Sequence, residues 1–343
     1  MRLHMNRIII LIAIIIGALV ILSNYSRLKT WDLYRRNDPR ELKMLSKRYS
    51  INGYFHTERS RITKVIILTY YRSGSSFFGE IFKNNKEILY MYEPLKFLEV
   101  KYGNLNLQIV GQPFLREILN CNFESSTFLD ICKESYKMAW KNIFKANNIS
   151  DIFDRCKNRS LKVAKIIRLN DLELLASYFG SDTAIIHLMR DPRGVFNSRK
   201  SLSVKHAPNQ TPHQFRIADI TNTCKSIVMN MKFIATLRDS VYKHPIDGPI
   251  VKQYKYNEYA YDPLNTAKGV YETLNMSLPT AVEKWIDDHT KITTDHDASS
   301  TKRNSSSVPT RWMHELNKNI IHEIQNISYC AEAIKMMGFE IMN

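Results

Sequence analysis

Runs of apolar residues recur along the chain, and most are followed by a segment with helical spacing. KVIILTY (64–70) reads as a buried strand that turns into a helix over SFFGEIFKN (76–84). ILYMYE (88–93) is a shorter strand-like run. LKVAKIIRL (161–169) predicts a further strand, followed by NDLELLASYF (170–179) with helical spacing. TAIIHLMR (183–190) is another, after which Asp191 is placed to cap a helix with Pro192 at its first position. GPIVKQYKY (248–256) leads into the helical PLNTAKGVYETL (263–274). Strands rich in Ile and Val that alternate with helices predict a central parallel sheet covered on both faces, a three-layer α/β sandwich. Ligands of such sheets bind beyond the C-terminal strand ends. DASSTKRNSSSVPT (297–310) reads as a loop.

Ahead of this domain the pattern differs. Residues 8–22 (IIILIAIIIGALVIL) are uninterruptedly apolar and follow Arg2 and Arg7. Ser23 to Tyr25 extend the run toward the roughly 20 residues that span a bilayer. No Ala-x-Ala pattern closes it, so an uncleaved signal anchor is expected rather than a signal peptide. The basic flank puts residues 1–7 in the cytosol and the rest in the lumen. The expected organisation is a cytosolic tail (1–7), a transmembrane helix (8–25), a polar stem (26–60) and a luminal domain (61–343).

Charge narrows the choice of partner. The 343 residues carry 49 Lys and Arg against 33 Asp and Glu, a net charge of +16. A surplus of that size implies an anionic ligand or surface. No nucleic-acid module signature is present, so nucleic acid is not the expected partner. Asn-x-Ser/Thr sequons at Asn24, Asn148, Asn158, Asn209, Asn275, Asn304 and Asn326 agree with a luminal body. Cys121, Cys132, Cys156, Cys224 and Cys330 are too few for a disulfide scaffold but allow one or two bridges, with a thiol left over. Neither Cys-x-x-Cys nor His-Glu-x-x-His occurs, and no metal site is expected.

Two stretches have the composition of anion sites. In YYRSGSS (70–76), Gly74 permits close backbone approach, and Ser73, Ser75 and Ser76 supply hydroxyls beside the Arg72 cation. The N–H groups of the following helix would point at an oxyanion; a plain serine-rich cap with a surface arginine is the alternative. The loop lacks the Gly-Lys-Ser/Thr of a nucleotide triphosphatase. HLMRDPRGVFNSRK (187–200) repeats the logic, with Arg190 at a strand end, Ser198 eight positions on, and Arg193 as a second guanidinium fork. There the alternative is an ion pair of Asp191 with Arg193 or Arg199. His187 reads as a packed core histidine, and QYKYNEYAYDP (253–263) as core and sheet edge.

Together RSGSSFFGEIF (72–82), YMYEPLKFL (90–98), LKVAKIIRL (161–169), LMRDPRGVFNSR (188–199) and KRNSSSVPTRWMHEL (302–316) resemble the Golgi carbohydrate sulfotransferases. The branch concerned sulfates the 6-hydroxyl of galactose, N-acetylgalactosamine or N-acetylglucosamine. The resemblance runs in order over most of residues 62–340. It implies a P-loop-like sulfotransferase fold, a type II Golgi anchor and 3'-phosphoadenylyl sulfate as donor, with no metal required. Arg72 to Phe77 would hold the 5'-phosphosulfate, and Arg190 and Ser198 the 3'-phosphate, with Arg193 beside them. Glu93 would be the base for the acceptor hydroxyl, with an ion pair to Arg72 or another buried arginine as the compatible alternative, and Arg72 would neutralise the leaving phosphate. Arg303, Arg311 and Trp312 would close over the nucleotide; for Trp312, which opens an apolar-periodic helix, a core position is the alternative, and Arg168 at a strand end is a further donor or acceptor contact. The acceptor would be a glycan or glycosaminoglycan, and a homo-oligomer is compatible with the chain. Two rivals differ in kind: a metal-dependent glycosyltransferase using Asp295 and Asp297 of DHD, and a non-catalytic glycan-binding relative.

Overall fold

A computed structural model describes residues 61–132, 149–206, 213–239, 248–291, 301–302 and 304–342. The expected tail, transmembrane helix and stem, together with Arg303, Asp295 and Asp297, lie outside them. No helix among the described residues is long and apolar enough to cross a membrane.

The chain runs β1 (Lys64–Thr69), α1 (Ser75–Lys83), β2 (Ile88–Tyr92), α2 (Lys96–Leu119), α3 (Ser126–Cys132) and α4 (Ile149–Lys157). It continues through β3 (Leu161–Ile166), α5 (Leu172–Ala176), β4 (Thr183–Met189), α6 (Pro192–His206) and α7 (His213–Asp239). After β5 (Ile250–Lys255) come α8 (Tyr256–Tyr261), α9 (Pro263–Thr273), α10 (Thr280–Thr290), a 3-10 turn at Ser305–Ser307, α11 (Trp312–Glu315), α12 (Lys318–Asn326) and α13 (Ser328–Met336). The sheet order is β2-β3-β1-β4-β5, and every pairing is parallel. β1 lies at the centre, and the path crosses it between β3 and β4. That leaves a crevice between the β1 and β4 ends, where open α/β sheets take their ligands.

Alternation along the strands feeds two cores, as a period of two requires. Ile66, Leu68, Ala164, Ile166 and Ile185 face one side, against α2 residues such as Phe114 and Ile118. Val65, Ile67, Val163, Ile186 and Leu188 face the other, against Phe78 and Phe82 of α1 and Tyr259 and Tyr271 of α8 and α9. All seven residues of β4 are buried, Thr183 and His187 included, which explains why its apolar residues fall on both faces. A third cluster joins α6 and α7 to α11, α12 and α13 through Val195, Phe196, Ile227, Trp312 and Ile324. Disulfides Cys121–Cys156 and Cys224–Cys330 tie α4 to the end of α2, and α7 to α13.

Candidate active site

The loop after β1 makes a tight reversal. Ser73 N donates to the Tyr70 carbonyl at 3.0 Å, and both Arg72 (φ 66°) and Gly74 (φ 84°) are left-handed. Only glycine fits position 74 in this packing, because a Cβ there would lie 2.1 Å from the Tyr256 ring. The next two carbonyls are held by arginines. Tyr71 O accepts from Arg199 Nε at 3.1 Å and Nη2 at 2.9 Å, and Arg72 O accepts from Arg190 Nη1 at 3.3 Å. With the carbonyls drawn to one side, the amides that open α1 remain for a ligand. No side chain caps this helix, and its first turn has no acidic residue. The Ser73 hydroxyl is fully buried and has no hydrogen-bond partner. An anion with several oxygens fits this cradle.

The stretch after β4 reaches the same place. Asp191 caps α6 by accepting from Arg193 N at 2.9 Å. Arg190 lies over the Tyr256 ring at 4.5 Å and donates to Val308 O at 3.4 Å. Ser198 Oγ accepts from Arg72 Nε at 3.0 Å, so the two motifs meet side chain to side chain. Tyr256 opens α8, and this places the start of the aromatic run 253–263 against the loop.

Arg193 and Trp312 require correction. Arg193 donates to Asp191 at 3.0 and 2.8 Å, to Gln325 Oε1 at 2.7 Å and to the Glu340 carbonyl at 2.9 Å. Its guanidinium stacks 4.1 Å from the Trp312 ring, and both residues are 2% exposed. They form a polar rivet inside the third core, because the carboxylate of Asp191 has to be neutralised where it is buried. Neither presents a group to a ligand. Phe77 likewise packs 4.5 Å from Tyr259, leaving only its backbone for the site. Arg311 Nη2 reaches Ser307 Oγ at 3.5 Å, on the loop that meets Arg190.

Glu93 follows β2 directly, at φ 48°. Its N–H donates to the Lys165 carbonyl at 3.0 Å. Lys165 Nζ donates to Oε1 at 2.7 Å and Arg168 Nη1 to Oε2 at 2.7 Å, with Arg168 also held by Glu99. Burial by itself pushes the Glu93 carboxyl up, but the charges and hydrogen bonds of Lys165 and Arg168 outweigh it and hold the group below the usual carboxylate range. Tyr92 joins this cluster to the loop, its hydroxyl 3.2 Å from Ser76 Oγ.

His187 is a core histidine. Asn230 donates to the Tyr70 oxygen at 2.9 Å, which leaves the phenol hydrogen for His187 Nε2 at 2.8 Å. Burial pushes the imidazole down to about 3, so it stays neutral. Lys165 escaped sequence reasoning, and Arg199 entered it only as an alternative partner for Asp191, a pairing that Arg193 makes instead. The signal for Lys165 is a lysine inside an apolar strand, 1% exposed in the fold. Arg199 offered no local signal, because its acceptor lies 128 positions away.

The sulfotransferase domain family model matches residues 62–338. The chain is similar to carbohydrate sulfotransferase 1 of Danio rerio, at 23% identity over 84% of this chain and 81% of that protein. It is similar to carbohydrate sulfotransferase 4 of Mus musculus at 22% identity, over 82% and 83% respectively. The sulfotransferase domain of the Synechococcus PCC 7002 olefin synthase aligns over 85% of this chain and 100% of that one, with a TM-score of 0.47 at 13% identity. The β1 loop and the β4 motif fall within the matched span, and the chain belongs to the sulfotransferase domain family, with carbohydrate sulfotransferases among its relatives.

Proposed function

We propose that this protein transfers sulfate from 3'-phosphoadenylyl sulfate to the 6-hydroxyl of a galactose, N-acetylgalactosamine or N-acetylglucosamine residue in a glycan or glycosaminoglycan. The observation that carries the reading is the meeting of two basic, strand-following motifs at one crevice, Arg72 on Ser198 at 3.0 Å and Arg190 on the Arg72 carbonyl at 3.3 Å. Family membership and the names of the relatives supply the chemistry. The donor brings an activated sulfuryl group and a bisphosphate leaving group.

The chain's own residues then divide the work. Amides of Ser75, Ser76 and Phe77 with the Arg72 guanidinium neutralise the 5' end, where negative charge builds as the bond to sulfur breaks. Arg190 and Ser198 hold the 3'-phosphate. Arg72 stays charged at every physiological pH and therefore acts as an electrostatic group, not as a proton donor. Glu93 takes the acceptor proton, with Lys165 and Arg168 fixing its orientation. Two disulfides and the N-terminal apolar run support a luminal catalytic domain on a type II Golgi anchor.

The test gives the full-length protein radiolabelled donor with keratan, chondroitin and N-acetylglucosamine-terminated acceptors, and locates the label on the product by NMR. Label at a 6-hydroxyl is expected. No label on any glycan would overturn the reading, and label at another position would overturn its regiochemistry. Protease protection in intact microsomes tests the topology, and a cleavable domain would contradict it.

A further inference from the structure

Tyr92 stands out among the residues beside the carboxylate. It ends β2, an edge strand of the sheet, and is 51% exposed although it lies next to the reacting centre. It is also immobilised. The Lys165 ammonium sits 3.8 Å from the ring centroid on one face, and the hydroxyl is held by Ser76 at 3.2 Å. The same ammonium bonds Glu93 at 2.7 Å, so ring, cation and carboxylate form one rigid unit. An exposed tyrosine alone needs no explanation. One pinned from beneath, with its other side open next to a candidate base, offers a flat apolar face at fixed distance from a proton acceptor.

We propose that the open face of Tyr92 is the platform on which the acceptor sugar stacks while Glu93 receives its hydroxyl proton. The inference rests on the carbohydrate-acceptor reading above. A pyranose presents a face of C–H groups, and the electron-rich ring face attracts their positive ends. The lysine fixes the ring from the opposite side. Because β2 borders the sheet, a long glycan extends past its edge without crossing the donor loop.

Initial rates at saturating labelled donor, with the acceptor varied, separate this role from support of the donor loop. Tyr92→Leu removes the ring and the hydroxyl, Tyr92→Phe only the hydroxyl, and Tyr92→Trp keeps an aromatic face. Tyr92→Leu is expected to raise the acceptor KM about five- to tenfold with kcat within about twofold. Tyr92→Phe and Tyr92→Trp should stay within about threefold of wild type, on the same stacking scale. Affinity for adenosine 3',5'-bisphosphate by calorimetry should not change in any of them. An unchanged acceptor KM in Tyr92→Leu overturns the platform, as does a Tyr92→Phe effect equal to it, or a parallel loss of bisphosphate affinity. If Tyr92→Leu does not fold, a large KM rise in Tyr92→Trp overturns it equally. Wild-type protein that labels no glycan refutes the acceptor reading and the platform together. Wild-type labelling with no Tyr92→Leu effect removes the platform alone.

Discussion

Replacing Arg193 with methionine separates a structural arginine from a donor-binding one. The stem volume is kept while the fork is lost. Asp191, whose side chain is 3% exposed, then loses the guanidinium that neutralises it, the Glu340 carbonyl loses the Arg193 donor, and Gln325 Oε1 is left with the Met342 N–H. Removing one member of a buried pair costs about 3–5 kcal/mol. At about 2 °C per kcal/mol for a domain of this size, the melting temperature should fall by about 6–10 °C. Pairing it with Asp191→Asn, which removes the stranded charge, should recover part of the loss. The assay is thermal melting of the full chain, with calorimetric titration of adenosine 3',5'-bisphosphate well below the transition. Affinity should remain within about twofold, because Arg193 faces α12 and the C-terminal segment and not the crevice. An unchanged melting temperature with a tenfold weaker bisphosphate would refute the assignment.

Gly74→Ala must place an L-residue at φ 84° and push the Tyr256 ring aside; about 1–2 kcal/mol of backbone strain and 1–3 of overpacking are expected. Melting and bisphosphate titration should both deteriorate, and a variant unaffected in both would contradict the loop geometry. Lys165→Met removes one of two cations that keep Glu93 ionised, so the acid limb of the kcat/KM profile should move to higher pH. In the wild type the depressed Glu93 adds stability above its unfolded value of about 4.3, lost as pH falls through the folded value. The variant should lack part of that increment, and a limb that stays in place would contradict the pairing. Replacing Cys224 and Cys330 by alanine opens a cross-link of sequence separation 106, which costs about 4–5 kcal/mol on the chain-entropy account. Urea unfolding checks it, and an unshifted midpoint would refute it.

The fold was largely legible because its three central strands, β3, β1 and β4, are buried on both faces. A run such as TAIIHLM carries apolar residues on both faces, so no amphipathic period competes with the strand reading, and the turn residues after it supply the helix cap. Strand order was not legible, since β3 separates β1 from β2 through long-range pairings, Lys64 with Lys162 and Ile88 with Leu161. The helix expected over 170–179 is only Leu172–Ala176. Asp171 fixes its start, and Ser177 ends it with a hydroxyl bonded back to Leu174 O. In the candidate site, motif composition singled out Arg72, Ser198 and Arg190, which the fold brings together, but could not sort one arginine from another. Arg190 and Arg193 lie three residues apart in one motif, yet one meets the β1 loop and the other a buried carboxylate. That division is made by Gln325, Glu340 and Trp312, which reach the motif only through tertiary packing. Lys165 was hidden for a related reason, because a lysine in an apolar strand gains meaning only when Glu93 arrives from the neighbouring strand.

The central claim is that the β1 loop and the β4 motif hold the donor while Glu93 moves the acceptor proton. The most direct measurement compares Glu93→Gln with wild type in two experiments: bisphosphate affinity by calorimetry and turnover of labelled donor onto the preferred glycan. The account predicts unchanged affinity and turnover lower by about a hundredfold or more. Near-normal turnover, or loss of bisphosphate binding, would contradict it.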